Sequence, residues 1–171
     1  MDQDAQTLHR AKQQAYRLLA YRNQLSNELR DRLRRRGYAA TIIDEVLRQL
    51  AADGYIDDRK VALDWARYRL QVKPRGRGRL AWELQRRGMP SEAVEEVLRE
   101  VFSEFDEVAL AEQAARKRLG SRALPSSLRE RQRFARHLYS LGFDAETVAT
   151  ALASLGCLDE AEDLMSTGDV C

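Results

Sequence analysis

ELRDRLRRRGYAATIIDEVLRQL, residues 28–50, decides the fold, because the chain writes this pattern three times. Residues 79–101, RLAWELQRRGMPSEAVEEVLREV, and 133–155, RFARHLYSLGFDAETVATALASL, align with it without a gap on Gly37, Gly88 and Gly142. Eight and four residues before each glycine stand Leu29 and Leu33, Leu80 and Leu84, Phe134 and Leu138, which is one face of a helix. At plus six, nine, ten and thirteen come Ile43, Val46, Leu47 and Leu50; then Val94, Val97, Leu98 and Val101; then Val148, Ala151, Leu152 and Leu155. The spacing predicts a helix, a glycine stop and a second helix in every copy.

A glycine one residue past a helix takes the left-handed conformation that closes the last carbonyls in a Schellman turn. That turn brings the residue after the glycine onto the residue four before it, here Tyr38 on Leu33, Met89 on Leu84 and Phe143 on Leu138. Pro90 suits the first turn of the next helix, and Asp144 suits the cap of the equivalent one. Each glycine helix follows another amphipathic stretch: AKQQAYRLLAY, RKVALDWARYRLQV and EVALAEQAARKRL. The unit is therefore three helices, interrupted by VKPRGRG in the second copy and GSRALPSS in the third. The expected fold is all-α: three tandem three-helix repeats forming an elongated, curved body, in which neighbours bury each other's apolar faces. The expected boundaries are 1–54, 55–104 and 105–158, with 159–171 an acidic tail.

With 171 residues, 44% hydrophobic and only three prolines, the chain has enough apolar surface for such a row of small cores. No apolar run reaches the roughly 18 residues of a membrane span, and MDQDAQTLHRAKQQAY lacks a signal-peptide core, which points to the cytoplasm. Cys157 and the last residue, Cys171, predict two reduced thiols rather than a disulfide framework. Net charge is +2, but residues 1–90 carry 20 Lys/Arg against 11 Asp/Glu, and residues 91–171 carry 9 against 16. This asymmetry directs the front half toward a polyanion or an acidic surface, and the acidic end DEAED away from it; uneven sampling of a solvated helical surface is the alternative.

Catalytic chemistry is thin. The histidines are His9, near the frayed N-terminal end, and His137, a half-exposed helix residue beside Leu138. No Walker loop, H-E-x-x-H motif or Cys/His ligand spacing occurs, so no metal or cofactor is expected. The P-R-G-R-G-R run at 74–79 lacks the preceding strand that positions a phosphate cradle. Asp57 and Asp58 could form a carboxylate pair, but their place ahead of the helix carrying Trp65 makes a cap the better assignment.

Surface chemistry is richer. A basic block runs through Arg67, Arg69, Lys73, Arg75, Arg77, Arg79, Arg86 and Arg87, with Glu83 its one acid. Gly76 and Gly78 are expected to keep its loop open, so that the guanidinium groups adapt to phosphates or carboxylates. Tyr68 is the aromatic best placed to stack or anchor a partner, whereas Trp65 and Trp82 are expected in the core. Arg34, Arg35 and Arg36, like Arg86 and Arg87, occupy the last turn of a helix, where the dipole favours cations. The third copy has Ser140 and Leu141 there, so these arginines are equally candidates for binding a partner.

Five segments carry a resemblance: AYRLLAYR at 15–22, the L-x-x-x-L-x-x-x-G-Y of the first copy, the junction LAADGYIDDRKVALDWARYRL, PRGRGRLAWELQRRGM, and GFDAETVATAL late in the chain. Together they resemble the RecX family, regulators of the bacterial recombinase RecA, over nearly the whole chain. The resemblance implies a non-enzymatic modulator, mainly an inhibitor, that docks in the groove of the RecA filament on single-stranded DNA. There it restrains ATP hydrolysis, strand exchange and cleavage of the SOS repressor. The positions matching the family's basic central block, Arg67 to Arg87, are the implied contact surface. Two rival classes remain open. A direct DNA-binding protein would lose affinity steeply with salt, and a passive helical scaffold would tolerate loss of its arginines. Because the apolar stripes are consumed within the chain, a monomer is expected.

Overall fold

The computed structural model describes residues 2–121, 123–125 and 127–156. Cys157, Cys171, the boundary at 158 and the acidic tail 159–171 lie outside the described residues. Among those described there are nine α-helices and no strand: α1 Asp2–Tyr21, α2 Ser26–Arg35, α3 Ala40–Ala52, α4 Asp58–Val72, α5 Arg77–Arg86, α6 Ser91–Glu104, α7 Glu107–Leu119, α8 Leu128–Ser140 and α9 Ala145–Ser154. The all-helical, three-by-three reading of the sequence holds. α1 reaches back to Asp2, so His9 lies within a helix and meets the Gln13 side chain at 2.9 Å rather than fraying.

The repeat pattern is a burial pattern. Every apolar position counted from the three glycines is buried except Leu155, which is half-buried. Removing a Leu or Val side chain from water contributes about 1.5–3 kcal/mol, which is why these positions rather than the polar faces specify the helices. The three glycines have φ of +85°, +91° and +90°. Each closes a Schellman turn: Tyr38, Met89 and Phe143 donate their N–H groups to the carbonyls of Leu33, Leu84 and Leu138 at 3.4, 3.2 and 3.4 Å. The second helix starts differently in each copy, α3 after Ala39 with no side-chain cap. Asp144 accepts from the Thr147 N–H at 2.8 Å, while Pro90 stands one residue ahead of α6, its carbonyl accepting from Val94. Asp57 caps α4 through the Lys60 N–H, 2.9 Å.

The chain divides into two compact units, one of residues up to 65 together with 84–97, the other of 66–83 together with 98 onward. In the first, α1 lies against α3 and α2 around Ala11, Ala15, Leu29, Leu33, Ile43 and Leu50, with Tyr16 set edge-on to Tyr55 at 4.9 Å. In the second, α7 packs on α9 and α8, burying Leu110, Ala111, Ala114, Phe134, Val148 and Leu152.

Each unit contains one junction between successive repeats, and the two junctions share one geometry. In the first, Asp58, which opens α4, accepts from the backbone N–H of Ser26 at 2.7 Å and from its hydroxyl, while the Asn27 amide donates to the Gly88 carbonyl. In the second, Glu107, which opens α7, accepts from the Arg77 N–H at 2.7 Å, while the Gly78 N–H donates to the Gly142 carbonyl at 3.0 Å. Ser26 and Arg77 stand eleven residues before their own repeat glycine, and Asn27 and Gly78 ten before.

Gly76 and Gly78 therefore do not keep the basic loop open, as the sequence suggested. The Gly76 N–H donates to the Leu141 carbonyl at 3.0 Å, and a Cβ there would overlap the backbone of Gly142 and Phe143. A Cβ on Gly78 would stand 3.2 Å from the Gly142 oxygen, and one on Gly142 would overlap Arg79. The glycines let two backbones touch. Gly37, by contrast, has nothing within 4 Å of its Cβ position. Gly37→Ala is expected to cost only the left-handed penalty of about 1–2 kcal/mol. Gly142→Ala adds steric overlap and should cost about 3 kcal/mol or more. Gly76→Ala, which has no left-handed backbone, should still lower the urea midpoint more than Gly37→Ala; equal midpoints would remove the close approach from the account.

Candidate functional site

The central block spans the second half of α4, the following loop and α5. Most of its cations are held by carboxylates. Arg67 forks onto Glu104, Nε to Oε2 at 2.9 Å, and reaches Glu100 at 3.3 Å. Arg69 grips Glu83 through Nε and Nη2 at 2.9 and 3.2 Å, and Arg79 takes the same carboxylate at 3.0 Å. Arg77 lies 3.7 Å from Glu107 and over the ring of Phe102 at 4.6 Å. Arg87 holds Glu28 at 3.0 and 3.2 Å. Three of these acids, Glu100, Glu104 and Glu107, come from the acidic half of the sequence. The charge asymmetry along the chain is thus partly spent on internal pairs, and this part of the block is not the loose cationic loop that its composition suggested.

The pairs have electrostatic consequences. Burial works to raise the Glu83 carboxyl, but Arg69 and Arg79 outweigh it and hold it below its ordinary value of 4.5. At Glu28 burial is likewise outweighed by Arg87, with help from Arg22 and the Leu25 N–H. Glu104 is held low by the Arg67 hydrogen bonds. Burial, with Arg69 alongside, pushes the Arg75 guanidinium below its ordinary value, Glu83 opposing and Arg79 adding to the effect.

The aromatics divide differently from the expectation. Tyr68 is 65% exposed on α4. Trp82, expected in the core, is 44% exposed and has the Arg79 guanidinium 4.4 Å over its ring, because the buried stripe of α5 is taken by Leu80 and Leu84. Trp65 is half-buried beneath Arg87, 5.0 Å from ring to guanidinium. At the end of α2, Arg34 pairs with Asp31 at 3.0 Å, Arg36 turns back to the Arg32 carbonyl at 3.4 Å, and Arg35 is exposed. Arg86 is exposed at the end of α5.

Lys73 and Arg75 lead to Lys117 and Arg118, which the sequence did not single out, and to His137, read there only as a half-exposed helix residue. With Lys117 and Arg118 from the last turn of α7 and His137 from α8, they line a cleft of about 370 Å³ floored by Pro74, Ala114 and Leu141. Among the described residues no carboxylate lines it, and the Arg75 Nε is buried without a hydrogen-bond partner. Burial, then Arg118 and Arg75, lowers the His137 imidazole below its ordinary value. Only the dense run ARKRL in α7 signalled this cluster, and its meeting with Lys73 depends on the backbone contact at Gly76.

Fold and surface together define a class: an all-helical tandem-repeat protein whose chemistry lies in surface cations and aromatics. Family models for the first, second and third three-helix domains of RecX match residues 11–50, 57–98 and 106–152. Regulatory protein RecX of Pelodictyon phaeoclathratiforme is 31% identical over 141 residues, 82% of this chain and 86% of that one. Regulatory protein RecX of Halorhodospira halophila is 36% identical over 148 residues, 85% and 88% of the two chains. The crystal structure of RecX from Lactobacillus salivarius shares the fold, with a TM-score of 0.81 over 90% of this chain and 99% of that one at 19% identity. The chain belongs to the RecX family of regulatory proteins.

Because Glu83 and Glu28 are held below 4.5, the stability they contribute is full above that pH and is lost as pH falls through their lower folded-state values. Glu83→Gln should lower stability at neutral pH by about 1–2 kcal/mol, its arginines being part exposed, and should flatten the acid limb of the thermal-midpoint profile. A variant as acid-sensitive as the wild type would show that Glu83 is not a principal pair.

Proposed function

We propose that this protein acts by binding rather than catalysis, as a modulator, mainly an inhibitor, of the RecA filament on single-stranded DNA. The observation that carries the reading is the unbroken series of three RecX domain matches along the chain. The partner follows from the family. In this reading the three repeats 1–54, 55–104 and 105–158 lie along the filament groove, where they restrain ATP hydrolysis, strand exchange and repressor cleavage. The protein works as a monomer in the cytoplasm.

Within the central block the structure favours some contact residues over others. Tyr68 is a large exposed aromatic flanked by Arg67 and Arg69, the combination of ring and guanidinium that concentrates binding energy at protein interfaces. Arg67 is exposed over 34% of its side chain, so it can exchange a carboxylate of its own chain for one on a partner. Arg34, Arg35, Arg86 and Tyr68 are accessible without breaking the repeat junctions, whereas Arg77 and Arg87 take part in them.

The test is RecA's DNA-dependent ATPase with wild type and with Arg67→Ala/Tyr68→Ala, at two salt concentrations. Wild type should inhibit well below RecA stoichiometry, and the double variant should need about fivefold more protein, the loss expected from one anchor of roughly 1 kcal/mol. An ATPase unaffected by wild type, with salt-sensitive binding to bare DNA retained, would replace this reading with the plain DNA-binding one.

A further inference from the structure

The cleft of Lys73, Arg75, Lys117, Arg118 and His137 has no role in the reading above. Its chemistry is one-sided. Five basic side chains converge from a loop and two helices, no acid among the described residues lines the cavity, and Glu83, the carboxylate that acts on Arg75, is already shared by Arg69 and Arg79. Lys117 and Arg118 have a structural role, since cations in the last turn of α7 answer its dipole. That role does not extend to Arg75, which sits in the loop between α4 and α5 with Nε desolvated and no acceptor.

Leaving a charged donor buried and unanswered costs free energy unless a ligand supplies the acceptor. The walls are held for such a ligand. Gly76 and Gly78 fix the loop carrying Lys73 and Arg75 against Leu141 and Gly142 at the end of α8, one turn from His137. The floor of Pro74, Ala114 and Leu141 offers apolar contact but no acceptor side chain.

We propose that this cleft is a binding site for a phosphate group, with Arg75, Arg118 and Lys117 donating to its oxygens and His137 completing the wall. Guanidinium donors in a partly dry cavity match phosphoryl oxygens, and about 370 Å³ admits a phosphate with part of the group it is attached to. The phosphate belongs either to a nucleic-acid backbone or to a free phosphate compound. The site stands on its own geometry and does not depend on RecA being the partner.

The full chain is titrated with a fluorescent oligothymidylate, by anisotropy, and with inorganic pyrophosphate. The His137 imidazole is followed by NMR in both arms, with His9 as internal reference. Bound phosphate should raise the His137 titration midpoint and leave His9 in place. Lys117→Glu/Arg118→Glu, both exposed residues, should abolish that rise and weaken binding about tenfold or more, the loss of one charge-assisted contact or two. Arg10→Glu/Arg17→Glu, an equal charge change on the exposed face of α1, should weaken it far less. Circular dichroism checks that both variants are folded, and Lys73→Ala gives a milder truncation should the double reversal unfold. A rise of the His137 midpoint with pyrophosphate alone assigns the site to free phosphate compounds; a rise with oligothymidylate assigns it to the nucleic-acid backbone. Equal weakening by the two reversals, or an unmoved His137 in both arms, would overturn the site.

Discussion

The first turn of a helix presents backbone N–H groups that have no partner inside the helix, and the junctions of this protein are built on meeting that need from outside. The middle helices of the first two repeats begin without a capping side chain at the preceding residue: Leu25 precedes α2 and Gly76 precedes α5. The missing acceptors are Asp58 and Glu107, each the first residue of the next repeat's first helix. A carboxylate there also faces the positive end of the helix dipole. Beside each contact, the glycine carbonyl of the next repeat accepts a donor from the same helix start. The third repeat solves the problem internally, with Ser127 and Glu130 forming a reciprocal capping box at the start of α8.

The arginines follow from this arrangement. A helix start drawn down onto the next repeat brings its flanking side chains within reach of that repeat's acids and bases, so Glu28 meets Arg87 and Arg77 meets Glu107. Pairing lowers the free charge of the block without emptying it. Tyr68 and Lys73 stay exposed, and the cleft around Arg75 stays without a carboxylate among the described residues. A basic run in sequence thus becomes two kinds of residue, those that hold the repeats together and those that face outward.

The helices, their glycine stops and nearly all of the core were legible in the sequence, because 3.6-residue periodicity and left-handed glycines leave a local record. Asp57 as a cap and α7 as EVALAEQAARKRL were readable for the same reason. Junction chemistry was not. Asp58 reads as a second cap candidate until Ser26 is placed against it, and Gly78 reads as a flexible linker until it meets Gly142, 64 residues away. Trp82 was misjudged because hydrophobicity alone does not say which face of α5 is buried. Beyond the run ARKRL, nothing marked the Lys117–Arg118–His137 cluster, because its members join Lys73 and Arg75 only through that long-range backbone contact.

The capping scheme gives the array a direction in time. Synthesis runs from the first repeat to the third, and α2 and α5 lack their outside acceptors until the following repeat has emerged. A chain still on the ribosome at either stage carries an unsealed helix start, whereas α8 brings its own box. Recombining such repeats by gene duplication is constrained in the same way: an internal copy needs an acidic residue at the head of its successor, and a final copy needs a serine and a glutamate of its own.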